Sequence, residues 1–377
     1  MDWRIPLADV DFDQDEYEAV EAVLKSKWLT MGAVTQQFEQ DFSEFTRIGH
    51  CIAVSNCTAG LHLAMVVLGI GEGDEVIVPS LSFVATANAV RYTGAKPVFA
   101  DISGIDDLNI SPASILSRIS PKTKAIIVMH YGGYACEMKE ILDLAKEHHL
   151  YVVEDAAHAV GASLDGKHLG GWGDIGCYSF FPNKNMTTAE GGIVATNNAE
   201  LASKIRLLRS HGMTSVTWDR HQGHAWSYDV VDLGYNYRID EIRAALGVVQ
   251  LKKLRKNNQK RRWLTEEYWR CLEQKVPEVC LPFRGHRGES ACHLMPIVLP
   301  KETNRTVIME MLKERGIQTS IHYPPIHLFS YYKGPDGIHS LEITEDLAKR
   351  ELTLPLYPGM EAVDVKYVVN ALGEAVT

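Results

Sequence analysis

The sequence predicts an α/β fold, in which a large domain around a mostly parallel, mixed sheet is followed by a smaller C-terminal α+β domain. Three observations carry this prediction. Five short, largely apolar runs, at 52–54, 75–78, 97–100, 125–128 and 151–153, recur within the first half of the chain. Stretches with helical spacing of apolar residues, near 59–69, 82–92 and 137–149, separate most of them. Strands apolar on both faces and alternating with helices belong in a parallel sheet covered on both sides. Beyond residue 236 the alternation stops, and a long helical run leads into a region of fewer strands.

Ahead of the first strand, residues 14–27 and 34–46 place apolar positions three and four apart among acids, which predicts two helices. Residues 236–275 predict one long helix or two, with Ile239, Ile242, Leu246, Val249 and Leu254 on the apolar spacing. Strand candidates follow at 293–299 and 318–321, with helices near 303–315 and 361–373. The domain boundary is placed near residue 250, within the long helix, giving 1–250 and 251–377.

Composition narrows the function. The chain has 377 residues, enough for two cores. With 38 Lys and Arg against 48 Asp and Glu, its net charge is −10. That excludes a broad basic surface for nucleic acid, but not an anionic small molecule held in a local basic pocket. The seven cysteines are scattered, odd in number and without Cys-x-x-Cys spacing. They predict free thiols in a reducing cytoplasm and no metal site. No basic-then-apolar leader opens the sequence, and no apolar run approaches the ~20 residues that cross a bilayer. A cytoplasmic protein without membrane or nucleic-acid partners is expected.

Two segments carry chemistry. In Val152-Val-Glu-Asp155-Ala-Ala-His158 a carboxylate ends a short apolar strand, where ligands of such sheets bind. Downstream, Ser179-Phe-Phe-Pro-Asn-Lys184-Asn-Met-Thr-Thr-Ala-Glu-Gly-Gly192 presents an amine in a turn. Alone, Lys184 reads as a solvated lysine and Asp155 as a helix cap. Together they match what pyridoxal phosphate (PLP) requires: an amine for its aldehyde, and a carboxylate that keeps the pyridine nitrogen protonated. Trp172, Tyr178, Phe180 and Phe181 offer apolar neighbours that would desolvate the amine. Upstream, Val54-Ser-Asn-Cys57-Thr58-Ala59-Gly60 reads as a strand, a turn and a helix start. The unpaired N–H groups of a helix start hold phosphate, and Ser179 could add a hydroxyl.

Further motifs stand in order along nearly the whole chain: Trp28-Leu-Thr-Met-Gly32, Pro79-Ser-Leu-Ser-Phe83-Val-Ala-Thr-Ala-Asn88, Gly234-Tyr-Asn-Tyr-Arg238 and His322-Tyr-Pro-Pro-Ile-His327. With the two segments above, the chain resembles the DegT/StrS-type sugar aminotransferases, built on the aspartate-aminotransferase fold (PLP fold type I). The resemblance implies that Lys184 forms the Schiff base with PLP and shuttles the proton, and that Asp155 pairs with the pyridine nitrogen. It gives His158 the cofactor's phenolic oxygen, Phe83 a stacking place on the ring, and Thr58, Ala59 and Ser179 the phosphate. Asn236 matches an asparagine that reaches the phosphate of the neighbouring subunit, implying a homodimer with shared sites. Thr30, His322 and Tyr323 fall where the family builds its substrate mouth, while His322 could equally brace its turn. Arg238 matches either the carboxylate of an amino donor or a helix-surface salt bridge.

The implied reaction is amino transfer, with L-glutamate as donor, to a nucleotide-linked keto sugar, a 4-keto sugar being favoured. A 3-keto sugar or a keto-cyclitol is the alternative. The dehydratases that resemble this family carry histidine in place of Lys184, and the non-catalytic PLP sensors carry an added DNA-binding module. Ala189, Asn56-Cys57 and His158 depart from the commoner pattern; they are similar to the enzymes that make 4-amino-4-deoxy-arabinose nucleotides.

Overall fold

Runs of Val, Ile and Ala at consecutive positions cannot expose either face to water, and the chain buries them in the middle of a sheet. The computed structural model describes residues 3–215, 223, 227–333 and 340–376. Helices α1 (Gln14–Ser26) and α2 (Ala33–Thr46) precede strand β1 (His50–Val54). Then come α3 (Cys57–Val67), β2 (Glu75–Pro79), α4 (Ala85–Tyr92), β3 (Lys96–Ala100), α5 (Pro112–Arg118) and β4 (Thr123–Met129). They lead to α6 (Met138–Glu147), β5 (Tyr151–Asp155), the small hairpin β6 (Ser163–Leu164) and β7 (Lys167–His168), β8 (Ile175–Ser179), β9 (Gly192–Thr196) and α7 (Ala199–Arg209). The single helix α8 (Glu241–Lys275) connects to β10 (Met295–Val298), α9 (Arg305–Glu314), α10 (Glu342–Arg350), β11 (Glu351–Leu354) and α11 (Ala362–Val376).

The main sheet has seven strands in the order β1-β9-β8-β5-β4-β2-β3. Only β9 runs against its neighbours, pairing antiparallel with β1 and β8, while β8, β5, β4, β2 and β3 pair parallel. The carboxyl ends of β1, β5 and β8 therefore lie along one edge. Ligands of open α/β sheets sit beyond such an edge.

Helix α8 is continuous over 35 residues, about 52 Å at 1.5 Å per residue. It starts at Glu241 rather than 236, because the Asp240 side chain caps it by accepting the Arg243 N–H at 2.9 Å. Its first half, with Ala244, Leu251 and Leu254, packs with Phe38 and Phe42 of α2. Its second half, with Leu264, Tyr268 and Leu272, joins Leu352, Leu354, Val368 and Leu372.

The strand predicted at 318–321 does not form. β10 pairs instead with β11, a run whose neighbouring Pro355 and Pro358 masked its strand character. Residues 318–321 make only an isolated bridge, Ser320 to Thr353, and Gln318 donates to the Ile5 carbonyl at 3.0 Å. Ile5 in turn donates to Gly316, and Leu356 donates to Leu7 at 3.1 Å. The first described residues, assigned by the sequence to the 1–250 domain, thus run along the C-terminal one.

No helix among the described residues is long and apolar enough to cross a membrane, and none of their His, Cys, Asp and Glu side chains gather into a metal-binding group. All seven cysteines are unpaired.

Candidate active site

A cleft of about 520 Å³ opens at the carboxyl edge of the sheet, lined by residues of the α3 start, β5, β8, the Lys184 turn and the segment at 322–323. Each of these contributes a different chemistry.

Asp155 is the last residue of β5 and is buried. Its Oδ2 accepts the Thr86 hydroxyl at 2.8 Å, and its Oδ1 accepts the Ala157 N–H at 3.2 Å. Burial raises its pKa, against the pull of these two donors and of the Lys184 charge. Among the described residues this carboxylate has no cation in contact, and a protonated ring nitrogen would supply one.

Lys184 stands in the turn between β8 and β9. Burial lowers its pKa to about 8, so that the neutral amine is within reach near physiological pH; Asp155 and Cys57 act in the opposite direction. Its Nζ lies 3.5 Å from His293 Nε2. Asn185 donates from Nδ2 to Asn258 Oδ1 and to the Ala291 carbonyl, both at 2.7 Å. Its Oδ1 therefore accepts from His293 Nδ1 at 3.0 Å, which leaves the Nε2 lone pair towards the lysine. Burial, followed by the Lys184 charge, keeps His293 well below the usual histidine range, so the ring stays neutral.

His158 is buried, and both of its ring nitrogens are engaged. Nδ1 accepts the Gly132 N–H at 3.3 Å, so Nε2 carries the hydrogen and donates to Tyr323 Oη at 2.9 Å. The group left to face the cleft is the Tyr323 hydroxyl. Phe83 is 58% exposed at the mouth, and its ring is 6.1 Å from that of Tyr323.

At the start of α3 the cap is Asn56, whose Oδ1 accepts the Ala59 N–H at 2.8 Å. The Ala59 N–H is thus already engaged, and Cys57 and Thr58 carry the N–H groups of this turn that have no partner among the described residues. Ser179 ends β8 and lines the same corner. The close seating of these pieces depends on Gly192, where a Cβ would stand 2.8 Å from the Cys57 nitrogen.

The structure thus brings together Lys184, Asp155, Thr58, Phe83, His158, Ser179, His322 and Tyr323 around one cleft, with Ala59 behind Thr58. Thr30, Asn236 and Arg238 are not brought there. Asn236 and Arg238 stand just before α8, and Thr30 lies in the segment tied to its start, where Glu241 accepts N–H groups of Gly32, Val34 and Thr35 and donates its own to the Leu29 carbonyl. Asn236 and Thr30 are exposed. Arg238 precedes α8 rather than lying on it and has no acidic partner among the described residues, which removes the helix-surface salt bridge. Of the four aromatics expected to shield the amine, only Phe181 lines the cleft; Trp172, Tyr178 and Phe180 pack on the other side, around α2.

Sequence reasoning missed Thr86, Asn185 and His293 as partners of the central pair. Thr86 follows Phe83 by three residues and Asn185 adjoins Lys184, both inside motifs already noted. His293 sat within a predicted strand and gave no signal.

The donor set fits PLP: an amine that loses its proton readily, a buried carboxylate short of a cation, and a helix start with a hydroxyl beside it. Comparison with known proteins agrees. The model of the DegT/DnrJ/EryC1/StrS aminotransferase family matches residues 10–373. The spore coat polysaccharide biosynthesis protein SpsC of Bacillus subtilis is 39% identical over 370 residues, covering 96% of this chain and 95% of SpsC. Among solved structures, Helicobacter pylori PseC, an aminotransferase involved in the biosynthesis of pseudoaminic acid, has a TM-score of 0.92 at 32% identity, covering 99% of both chains. DesI, solved in the presence of its TDP-sugar product, has a TM-score of 0.90 at 30% identity, covering 100% of this chain and 94% of DesI. The chain belongs to the DegT/DnrJ/EryC1/StrS family and is a PLP-dependent sugar aminotransferase of fold type I.

Proposed function

We propose that this enzyme transfers an amino group from L-glutamate to C4 of a nucleotide-linked keto sugar, and that it works as a cytoplasmic homodimer. The observation that carries the catalytic part is the pairing of Lys184 with the cation-seeking Asp155 across one cleft. Bound PLP supplies an electron sink for the charge left when a proton leaves the substrate carbon. The chain's own residues do the rest. Lys184 anchors the cofactor and moves the proton, its amine brought towards neutrality by burial. Asp155, oriented by Thr86 and Ala157, keeps the proton on the pyridine nitrogen. The Cys57 and Thr58 N–H groups, the α3 dipole and Ser179 hold the phosphate. Phe83 covers the mouth. His158 acts through Tyr323, whose hydroxyl hydrogen it leaves free for the cofactor's phenolic oxygen or for substrate.

The residues that do not reach the cleft support the reading as a dimer. Asn236 and Arg238 shortly precede α8, and a few residues before them in the chain Val230, Val231 and Leu233 are exposed, the last 81% exposed. Exposed apolar side chains in such a segment are suited to a second copy, in whose cleft Asn236 would meet the phosphate and Arg238 a substrate carboxylate. Similarity to DesI favours a nucleotide-linked sugar, whose carrier offers binding energy remote from the reacting ketone.

The test is a panel of 4-keto and 3-keto nucleotide sugars and a keto-cyclitol, offered to enzyme preloaded with glutamate, while the cofactor's visible absorbance is followed. Rapid recovery with the 4-keto nucleotide sugar is expected. Recovery with the 3-keto sugar or the cyclitol alone would overturn the substrate proposed here, and recovery with 2-oxo acids alone would overturn a sugar acceptor. Borohydride should fix PLP on Lys184 and on no other lysine.

A further inference from the structure

The cleft wall contributed by the C-terminal domain holds polar side chains that the transfer chemistry above does not use. Glu351 and Thr353 lie two residues apart on β11, so they share one face of that strand. Both are buried, at 0% and 1% exposure. The Thr353 hydroxyl lies 2.5 Å from Glu351 Oε1 and 2.9 Å from His322 Nδ1. Glu351 Oε2 accepts the His322 backbone N–H at 2.9 Å, closing the circuit. The Tyr131 hydroxyl donates to the His322 carbonyl and fixes the same residue from the other side. His322 lines the cleft. Its Nδ1 is used in the circuit, and Nε2 has no protein partner among the described residues.

A hydroxyl carries one hydrogen, so Thr353 can donate to only one of its two neighbours. With Glu351 ionised, the carboxylate takes that hydrogen. His322 must then give its Nδ1–H to the Thr353 oxygen, and Nε2 shows a lone pair to the cleft. With Glu351 protonated, its O–H donates to Thr353, the Thr353 hydrogen turns to His322 Nδ1, and Nε2 carries the N–H. We propose that Glu351, acting through Thr353, sets the tautomer of His322, so that this wall of the cleft accepts a hydrogen bond when Glu351 is ionised and donates one when it is not.

The exchange balances. A proton arriving at Nε2 displaces the Nδ1 proton to Thr353 Oγ1, and the original Thr353 hydrogen passes to Glu351 Oε1. No imidazolium remains. Burial, with the Lys184 charge nearby, lowers His322 to about 3, so a standing imidazolium is disfavoured there. Burial lifts Glu351 to about 7, against the pull of Thr353, the His322 N–H, Arg305 and Tyr131. Tyr323 also faces Glu351, and His158 and His293 face His322. The circuit's proton therefore resides on Glu351. For an enzyme that binds two substrates in turn the arrangement has a use, which rests on the function proposed above: the carboxylates of an amino donor need an N–H, while the hydroxyls of a sugar need an acceptor.

The test is ¹⁵N NMR of histidine-labelled holoenzyme from about pH 5 to about 9, a range spanning histidine and raised-carboxyl titrations, with His322 assigned by the signals lost in His322→Gln. The wild type should pass from the Nε2–H to the Nδ1–H tautomer as pH rises through the Glu351 range. Glu351→Gln, whose amide donates to Thr353 and cannot ionise, should hold Nε2–H throughout. Thr353→Val should show no switch in this range. A wild-type His322 that keeps one tautomer, or a switch that survives in Thr353→Val, overturns the proposal. Should Glu351→Gln fail to fold, Thr353→Val, which exchanges a hydroxyl for a methyl, decides alone. Wild-type enzyme that switches tautomer but aminates no keto sugar would count against the proposed function and not against the circuit.

Discussion

Glu154 and Asp155 are adjacent on β5, and both are buried, yet their carboxylates are satisfied very differently. Glu154 points to one face of the sheet and accepts N–H groups from Gly170, Trp172 and Gly173 at 2.6–2.7 Å, with His130 Nε2 at 2.9 Å. The His130 ring is oriented by the Cys136 N–H on its other nitrogen. Asp155, on the opposite face, has one hydroxyl and one backbone N–H, and its pKa is pushed up by burial. A carboxylate surrounded by donors serves the fold. One left short of donors, at the end of a strand and inside a cleft, is prepared for a ligand.

The sharpest way to break this contrast is to exchange the two for amides. Asp155→Asn should abolish most amino transfer, because an amide cannot keep the ring nitrogen protonated. Lys184→Ala should do the same while still binding PLP, the lost proton shuttle alone accounting for ~10²–10⁴ in rate. Without cofactor, the raised Asp155 pKa means that the folded chain binds this proton more tightly than the unfolded chain. Its cost to stability is absent at low pH and sets in as pH rises past the ordinary aspartate range. Asp155→Asn apoenzyme should therefore melt no lower than wild type at neutral pH. Glu154→Gln should do the reverse, costing about 3 kcal/mol of stability because the amide turns an N–H towards other donors, with PLP still bound. Equal loss of stability in the two variants would dissolve the distinction.

Glu351 tests the contrast at a second place. Its shift from 4.5 to about 7 corresponds to about 3 kcal/mol at most. The folded-state pKa is raised, so the penalty is absent below about pH 4.5 and complete above about 7. The melting temperature of Glu351→Gln relative to wild type should accordingly rise from acid to mildly alkaline pH; a pH-independent difference would remove the carboxyl from this role. The smallest effect is expected of Thr86→Val, which removes one donor from Asp155. Its pKa should rise further, lowering activity about tenfold, or about 1.4 kcal/mol, with the loss increasing towards low pH, where the carboxyl takes up its proton. Unchanged kinetics would mean that Ala157 alone orients the carboxylate.

What could be read from the sequence follows from the range of the interactions. The strands up to β5 are local runs of apolar residues, and Lys184 and Asp155 are held by turns written next to them. β9 is not among the predicted strands because it is short and follows the glycine and polar residues of the Lys184 turn. The Glu351, Thr353 and His322 circuit and the Asn258, Asn185 and His293 support join positions 29 to 108 residues apart. No local pattern encodes such pairings. Glu154 and Asp155 are the plainest case: their side chains face opposite ways, and only the surroundings of each face separate the anchor from the reagent.

Helix α8 has a consequence for anyone dividing this protein. A chain ended at residue 250 would sever the helix just before Leu251 and Leu254, which fill the core under α2, and would strip Lys253 from Glu16. The remainder would begin with those same apolar residues exposed and would lack the strip around Ile5 that runs alongside Gly316 and Gln318. Neither fragment would carry a complete core. Heating should melt the intact enzyme in one cooperative step, with the long helix acting as a splint that transmits the loss of either end to the other.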